Sequence, residues 1–230
     1  VDDLVPDHGH LMHLYVLREP GFDRVWHLHP DATGAGAFHF ALPAMPAGRY
    51  RLFGDIVHAT GLAETATSEL DLPAVAGAPL DGDNAAGAGP ATFDPTRTVA
   101  PLEDGARMVW LQGGAATPAR QASWFRFRVE DASGAAQPLE PYMGMLGHAA
   151  FVRTDGSTFA HVHPSGSVPM AAPAALDGAP ADPHALHAMA VGATEVAFPY
   201  GFPRPGDYRI IVQVKRAGRI ETGIFDARAR

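Results

Sequence analysis

Gly147-His148-Ala149-Ala150-Phe151-Val152-Arg153-Thr154-Asp155-Gly156-Ser157-Thr158-Phe159-Ala160-His161-Val162-His163-Pro164 reads as a single β-hairpin. Asp155-Gly156 is a strong signal for a two-residue turn, because a tight hairpin needs positive φ at its centre. With that pair as the loop, Thr154 faces Ser157. Counting outward, Val152 faces Phe159, Ala150 faces His161, and His148 faces His163. Side chains two apart on a strand share a face, so His148, His161 and His163 project together. Directly opposed residues hold their Cβ atoms roughly 4.5–5.5 Å apart, which lets two imidazoles meet at one ion. A register slip of one residue would undo this arrangement.

The same pattern occurs near the start of the chain. Gly9-His10-Leu11-Met12-His13-Leu14-Tyr15-Val16-Leu17-Arg18 leads through Pro20-Gly21-Phe22 to Val25-Trp26-His27-Leu28-His29-Pro30. Taking Pro20, Gly21 and Phe22 as the connection, Glu19 faces Asp23 and His13 faces His29, with His27 on the same face. The repeat then continues. Residues 40–52, with Pro46-Ala47-Gly48-Arg49-Tyr50, align without gaps to residues 198–210, with Arg204-Pro205-Gly206-Asp207-Tyr208. Gly61-Leu62-Ala63-Glu64-Thr65 matches Gly218-Arg219-Ile220-Glu221-Thr222. A duplication at this spacing reads as two domains of one fold rather than a solenoid.

Short stretches rich in Val, Phe, Tyr and Ile alternate with Gly, Pro and Asp turns, which is a strand pattern. The expected fold is all-β: two tandem immunoglobulin-like β-sandwich domains related by internal duplication. The first domain is placed at 1–75, with room for its opening strands to precede Val1. Segment 76–92, rich in Ala, Gly, Asp and Pro, reads as a linker. The second domain is placed at 93–230, with Met108–Leu111 and Phe125–Val129 as strands and 165–192 as an insertion. One larger β-domain is the alternative. The best helix candidate is the short run Pro183–Met189, which carries His184 and His187.

With 47% apolar and 18% charged residues, the chain can bury a core. A net charge of -8 argues against nucleic acid and against an anionic membrane surface. There is no cysteine, so any metal must use His, Met, carboxylate or backbone oxygen. No apolar run approaches a membrane span. The chain begins at Val1 without an initiator Met and reads as a processed or excised piece. Phosphate-loop, Gly-x-Ser-x-Gly and HExxH motifs are absent.

Three neutral imidazoles suit Cu(II) or Zn(II). The candidate ligands are His13, His27 and His29 with Asp55 and His58, and His148, His161 and His163 with Met145 and Met170. Met12 and Met143 add to the thioethers that favour Cu(I). Copy two has Gln213 and Lys215 or Arg216 where copy one has Asp55 and His58. Copy one is therefore expected to bind divalent metal more tightly, unless the methionines make copy two a Cu(I) site. Occupancy is expected to fall as pH drops through about 6.5, the unperturbed histidine value. Two other readings stand beside this one: structural histidines in an interaction or sensory ectodomain, and a copper enzyme. His39, between Phe38 and Phe40, reads as solvent-exposed.

The segments Leu4–Leu14 with His27–Pro30, and Glu140–His148 with His161–Pro164, resemble those of a group of bacterial extracytoplasmic proteins with duplicated GHxxH and HxHP segments. The resemblance also takes in Phe198-Pro199-Tyr200-Gly201-Phe202. It implies an exported or membrane-tethered context, periplasmic or extracellular, and a link to metal handling with copper as the first candidate and zinc as the second. The partners it implies are a metal ion and a membrane-bound or periplasmic protein.

Overall fold

The computed structural model describes residues 3–34, 36–164, 166 and 192–230. The chain divides into two compact units, the first running to Ala86 and the second beginning at Gly87. Both are built of antiparallel strands, so the fold is all-β as expected.

In the first unit the strands are β1 (Leu4–Val5), β2 (His13–Arg18), β3 (Arg24–Leu28), β4 (Asp31–Gly34), β5 (Ala37–His39), β6 (Gly48–His58) and β7 (Ala63–Leu72), and β8 (Ala85–Ala88) begins at its end and runs two residues past Ala86. One sheet runs in the order β1-β6-β2-β3-β8, with β7 also paired to β6. Strands β4 and β5 form a separate ribbon, where His39 is exposed as expected. The β2–β3 register places Leu14 opposite Leu28, Tyr15 opposite His27 and Leu17 opposite Val25, as counted from the turn. Gly21 holds that turn at φ 102° and Phe22 follows at φ 49°. The Phe22 ring is buried and its N–H donates to the Arg18 carbonyl at 2.9 Å, which locks the loop length and hence the register.

The second unit contains β9 (Val99–Pro101), one 3-10 turn at Glu103–Gly105, β10 (Arg107–Trp110), β11 (Ser123–Glu130), β12 (His148–Arg153), β13 (Phe159–Val162), β14 (Glu195–Tyr200), β15 (Gly206–Arg216) and β16 (Arg219–Ala229). These strands make two four-stranded sheets, β14-β11-β10-β9 and β13-β12-β15-β16. The two sheets share one core: Trp110, Phe125, Phe127 and Phe198 from the first meet Phe151, Tyr208, Ile210 and Phe225 from the second. This is the layered arrangement of a β-sandwich. The connection is four residues long rather than two: Arg153 N–H bonds to the Thr158 carbonyl at 2.9 Å, Gly156 N–H to the Arg153 carbonyl at 2.7 Å, and of the expected turn pair only Gly156 has positive φ, at 72°. Both loop lengths give the counted register, with Val152 opposite Phe159 and Ala150 opposite His161. The Phe151 ring is wholly buried in this core. Phe151→Ala should therefore cost about 3–5 kcal/mol. Urea unfolding of the second unit would read it, and a loss under roughly 1 kcal/mol would contradict this packing.

The order β13-β12-β15-β16 repeats β3-β2-β6-β7. In both sheets the long strand after a proline-containing turn carries a buried tyrosine as its third residue. Tyr50 donates its O–H to the Pro46 carbonyl at 2.5 Å, and Tyr208 donates to that of Arg204 at 2.9 Å. A tyrosine tied back to the backbone a few residues upstream is a device of immunoglobulin-like sandwiches.

Strands β2 and β12 lack polar/apolar alternation because both of their faces are buried. In β2, Val16 packs with Trp26, Leu28 and Tyr50 on one face. His13, Tyr15 and Leu17 point to the other face and are buried too. In β12, Ala149 and Phe151 enter the sandwich core, while His148, Ala150 and Val152 are buried on the reverse.

The segment read as a linker is not wholly irregular. Ala85–Ala88 forms β8 at the edge of the first sheet. Small residues with no apolar period gave no strand signal, and pairing to β3 supplies the order instead. The insertion's Met170, His184 and His187, and the helix candidate at 183–189, lie outside the described residues. Among the described residues no helix is long and apolar enough to cross a membrane.

Candidate metal centres

Each histidine hairpin is entered through a tight turn that the spacing argument overlooked. Asp7-His8-Gly9-His10 closes with two backbone bonds, Asp7 N–H to the His10 carbonyl at 2.9 Å and His10 N–H to the Asp7 carbonyl at 3.0 Å. His8 and Gly9 sit at φ 50° and 87°. Tyr142-Met143-Gly144-Met145 closes in the same way, with Met143 and Gly144 at φ 49° and 80°. Two central residues of positive φ favour glycine at the second place. The visible signal was a glycine four residues before the first histidine of each copy.

Both turns aim a carbonyl at that histidine. His13 donates Nε2–H to the Asp7 carbonyl at 3.1 Å, and His148 donates Nε2–H to the Tyr142 carbonyl at 3.2 Å. In a neutral imidazole this leaves Nδ1 as the lone-pair nitrogen.

The first triad then closes around His13 Nδ1. His27 Nε2 stands 3.1 Å from it and His29 Nε2 stands 3.2 Å from it. In the second triad, His148 Nδ1 lies 3.3 Å from His161 Nε2. The His163 ring lies 5.1 Å from that of His148 and 4.4 Å from that of His161, centre to centre. Within each triad, one nitrogen from every ring lies within 4.8 Å of the others. All six rings are buried. The register places His13 and His29, and His148 and His163, on shared faces as counted, one pair beyond the end of each strand ladder.

The surrounding groups hold the rings. Tyr15 stacks on His27 at 4.1 Å between ring centres. Asn84 accepts the His29 backbone N–H at 2.9 Å, a role hidden while 76–92 read as linker. His10 stacks on His29 with centres 3.9 Å apart. Burial pushes His13 down to about 3 and His29 down to about 2, so both stay neutral far below the usual histidine range.

Asp55 is the strand partner of His13 in β6, and Thr65 Oγ1 donates to it at 3.0 Å. Burial raises its carboxyl to about 6, with the Thr65 bond working against the shift. His58 is not brought to the triad. It lies three residues along β6 from Asp55 and so points to the opposite face. Its ring meets Asp3 at 3.0 Å and Glu64 at 3.1 Å, and those bonds hold its pKa above the usual value.

In the second copy Gln213 takes the place of Asp55, opposite His148, with Thr222 opposite Gln213. Arg216 takes the place of His58 and spends its charge on Glu221, at 2.8 and 2.6 Å. That pairing offsets the charge of Arg216, one of the two cations, with Lys215, that set copy two apart from copy one. Met145 is buried and occupies the turn position of His10.

Three nitrogens facing one point suit a metal ion. Ligand nitrogens about 2.0–2.1 Å from a tetrahedral ion stand roughly 3.3 Å apart. The spacings of 3.1, 3.2 and 3.3 Å lie close to that figure. The buried histidine triads could hold a metal ion. Two surface cavities, about 390 Å³ beside Asp31, His39 and Asp81 and about 210 Å³ beside Trp110 and Trp124, include no triad residue.

No curated protein matches the chain. Residues 1–73 and 100–230, which include both triads, match the family DUF8832, described as a domain of unknown function. The implied copper link finds no support in that description. The chain belongs to the DUF8832 family.

Proposed function

We propose that this protein is a metal-binding module that holds one ion at each buried histidine triad, with copper or zinc as the metal. One observation carries the reading. His13 Nδ1 faces both His27 Nε2 and His29 Nε2, at 3.1 and 3.2 Å. An aromatic nitrogen has one lone pair and serves one good N–H donor. If the histidines were only structural, two rings would compete for that lone pair. A cation at the centre turns all three lone pairs inward and removes the conflict.

The backbone carbonyls complete the arrangement. Metal-binding histidines commonly donate their second ring N–H to a carbonyl, which sets the tautomer and orients the ring. Asp7 and Tyr142 accept such bonds from His13 and His148. The common strand order and the matched turns support an origin by duplication. The family resemblance supports an extracytoplasmic setting and a protein partner in metal handling, and both belong to this proposal. Burial of the triads favours holding an ion over turning over a substrate, which needs an open position.

Metal analysis of the untagged full chain, after exposure to Cu(II) or Zn(II) and removal of excess, tests the reading. Close to two ions per chain are expected, falling to about one in His163→Ala. A wild-type protein that retains no ion in either case would overturn it.

A further inference from the structure

Apart from both triads, the second unit holds a cavity of about 210 Å³ beside β10, β11 and the loop that joins them. Its walls include Trp110, Gln112, Thr117, Pro118, Ser123 and Trp124, and none of its residues is ionisable. Trp124 is 56% exposed, although it stands in a strand next to the buried Phe125. Trp110 is buried, and its indole N–H meets no acceptor among the described residues. Nearly all buried donors are paired in folded proteins, so one left open calls for a partner. Backbone bonds hold the wall in place. Thr117 donates its N–H to the Arg228 carbonyl at 2.9 Å and accepts that of Arg230 at 3.0 Å. Gln112 Oε1 accepts the Arg126 N–H at 3.1 Å, so the amide presents its nitrogen as the remaining donor. The turn after β10 lies against the Trp110 ring, where a Cβ at Gly113 would stand 2.6 Å from it.

We infer that this cavity, with Trp124 at its side, binds one ring of a neutral carbohydrate. Charge excludes one class of ligand, because an ionised group would lose water and meet no counter-charge in the lining. Size excludes another. Drug-sized ligands occupy roughly 300–1,000 Å³, so this space suits a single ring. A sugar ring has a face of C–H groups that stacks on an indole, and a rim of hydroxyls that both donate and accept. The Ser123 and Thr117 hydroxyls and the Gln112 amide offer the same two-way bonding in the lining. A sugar oxygen supplies the acceptor that the Trp110 N–H lacks. The proline ring of a peptide is the competitor of similar size, and it too packs on aromatic walls. It carries no hydroxyl, so it would leave those three polar side chains without ligand bonds, and the sugar is favoured. This site does not depend on the histidine triads, none of whose residues line it.

Calorimetric titration of the untagged full chain with cellohexaose, chitohexaose, hexagalacturonate and hexaproline tests the assignment. At least one of the two neutral sugars should bind, while the anionic sugar and the peptide should not. Trp124→Ala changes an exposed side chain and should leave the fold intact. It should weaken the sugar by roughly tenfold or more, and Trp124→Phe, which keeps a stacking face, should restore part of that loss. Trp110→Phe keeps a buried ring but removes the N–H, and should weaken the sugar about three- to tenfold. Binding of hexaproline in place of the sugars would overturn the proposal in favour of a peptide site. Failure of both neutral sugars to bind, equal binding of hexagalacturonate, or sugar binding that Trp124→Ala leaves unchanged would overturn it as well.

Discussion

His13→Ala should abolish the metal-dependent stabilisation of the first unit. In the wild type, an ion at about 100 times its Kd adds about 2.7 kcal/mol to the folded state. For a chain of this size that is a rise in Tm of roughly 5–10 °C. His13 is the residue to change because both other rings of its triad face its Nδ1, at 3.1 and 3.2 Å. Its loss leaves His27 and His29 without the partner that the Asp7 carbonyl orients. The comparison is made within each variant, with and without metal, so any loss of packing in the apo protein does not blur it. Scanning calorimetry with Zn(II) would read the shift. A His13→Ala protein stabilised as much as the wild type would sink the first site.

Acid should destabilise the apo protein well before its ordinary carboxylates titrate. His13 and His29 are held at about 3 and about 2 when folded, mainly by burial, and return to about 6.5 when unfolded. Between those values the unfolded state binds more protons, so stability is present above about 6.5 and is lost as pH falls. Each group contributes up to about 1.4 kcal/mol per pH unit. Asp55 works in the opposite direction. Its folded value is raised to about 6, so between there and its ordinary value of 3.8 the folded state takes up the proton first. That offsets one histidine, so these three groups together contribute a net slope of about 1.4 kcal/mol per pH unit between pH 6 and 4. Asp55→Asn removes the offset and should roughly double the slope. Urea midpoints at several pH values would show it, and a flat profile from pH 6.5 to 4 would refute it. The same depressed values move the expected loss of metal at the first site below pH 6.5. Protons compete for these two nitrogens only at much lower pH, so occupancy at the first site should persist through pH 6.5 and fail further into acid.

Much of the site was legible in the residue order. Asp155-Gly156 marked the centre of the second hairpin, and because the four-residue connection keeps the register of a two-residue one, period-two counting still placed three histidines on one face. Pro20-Gly21-Phe22 did the same for the first, where the buried Phe22 holds the loop to three residues. The all-β class followed from short apolar runs between turn residues, and Tyr50 and Tyr208 marked the starts of matched strands. These are local matters, set by dihedral preference and by the alternation of side chains along a strand.

Tertiary structure decided the rest. Asp55 and His58 are three residues apart and looked alike as ligands, yet strand parity sends one toward His13 and the other to Asp3 and Glu64. Asn84 and the β8 strand were invisible, because Ala-Ala-Gly-Ala carries no pattern and gains its order only from β3. The carbonyls of Asp7 and Tyr142 were invisible for another reason: every residue has a carbonyl, and only folding shows where one points. The depressed values of His13 and His29 likewise come from burial in the folded chain, which no single strand can report. Sequence alone determined which side chains share a face. Only the folded chain, by excluding water and aiming backbone groups, decided which of them could share an ion.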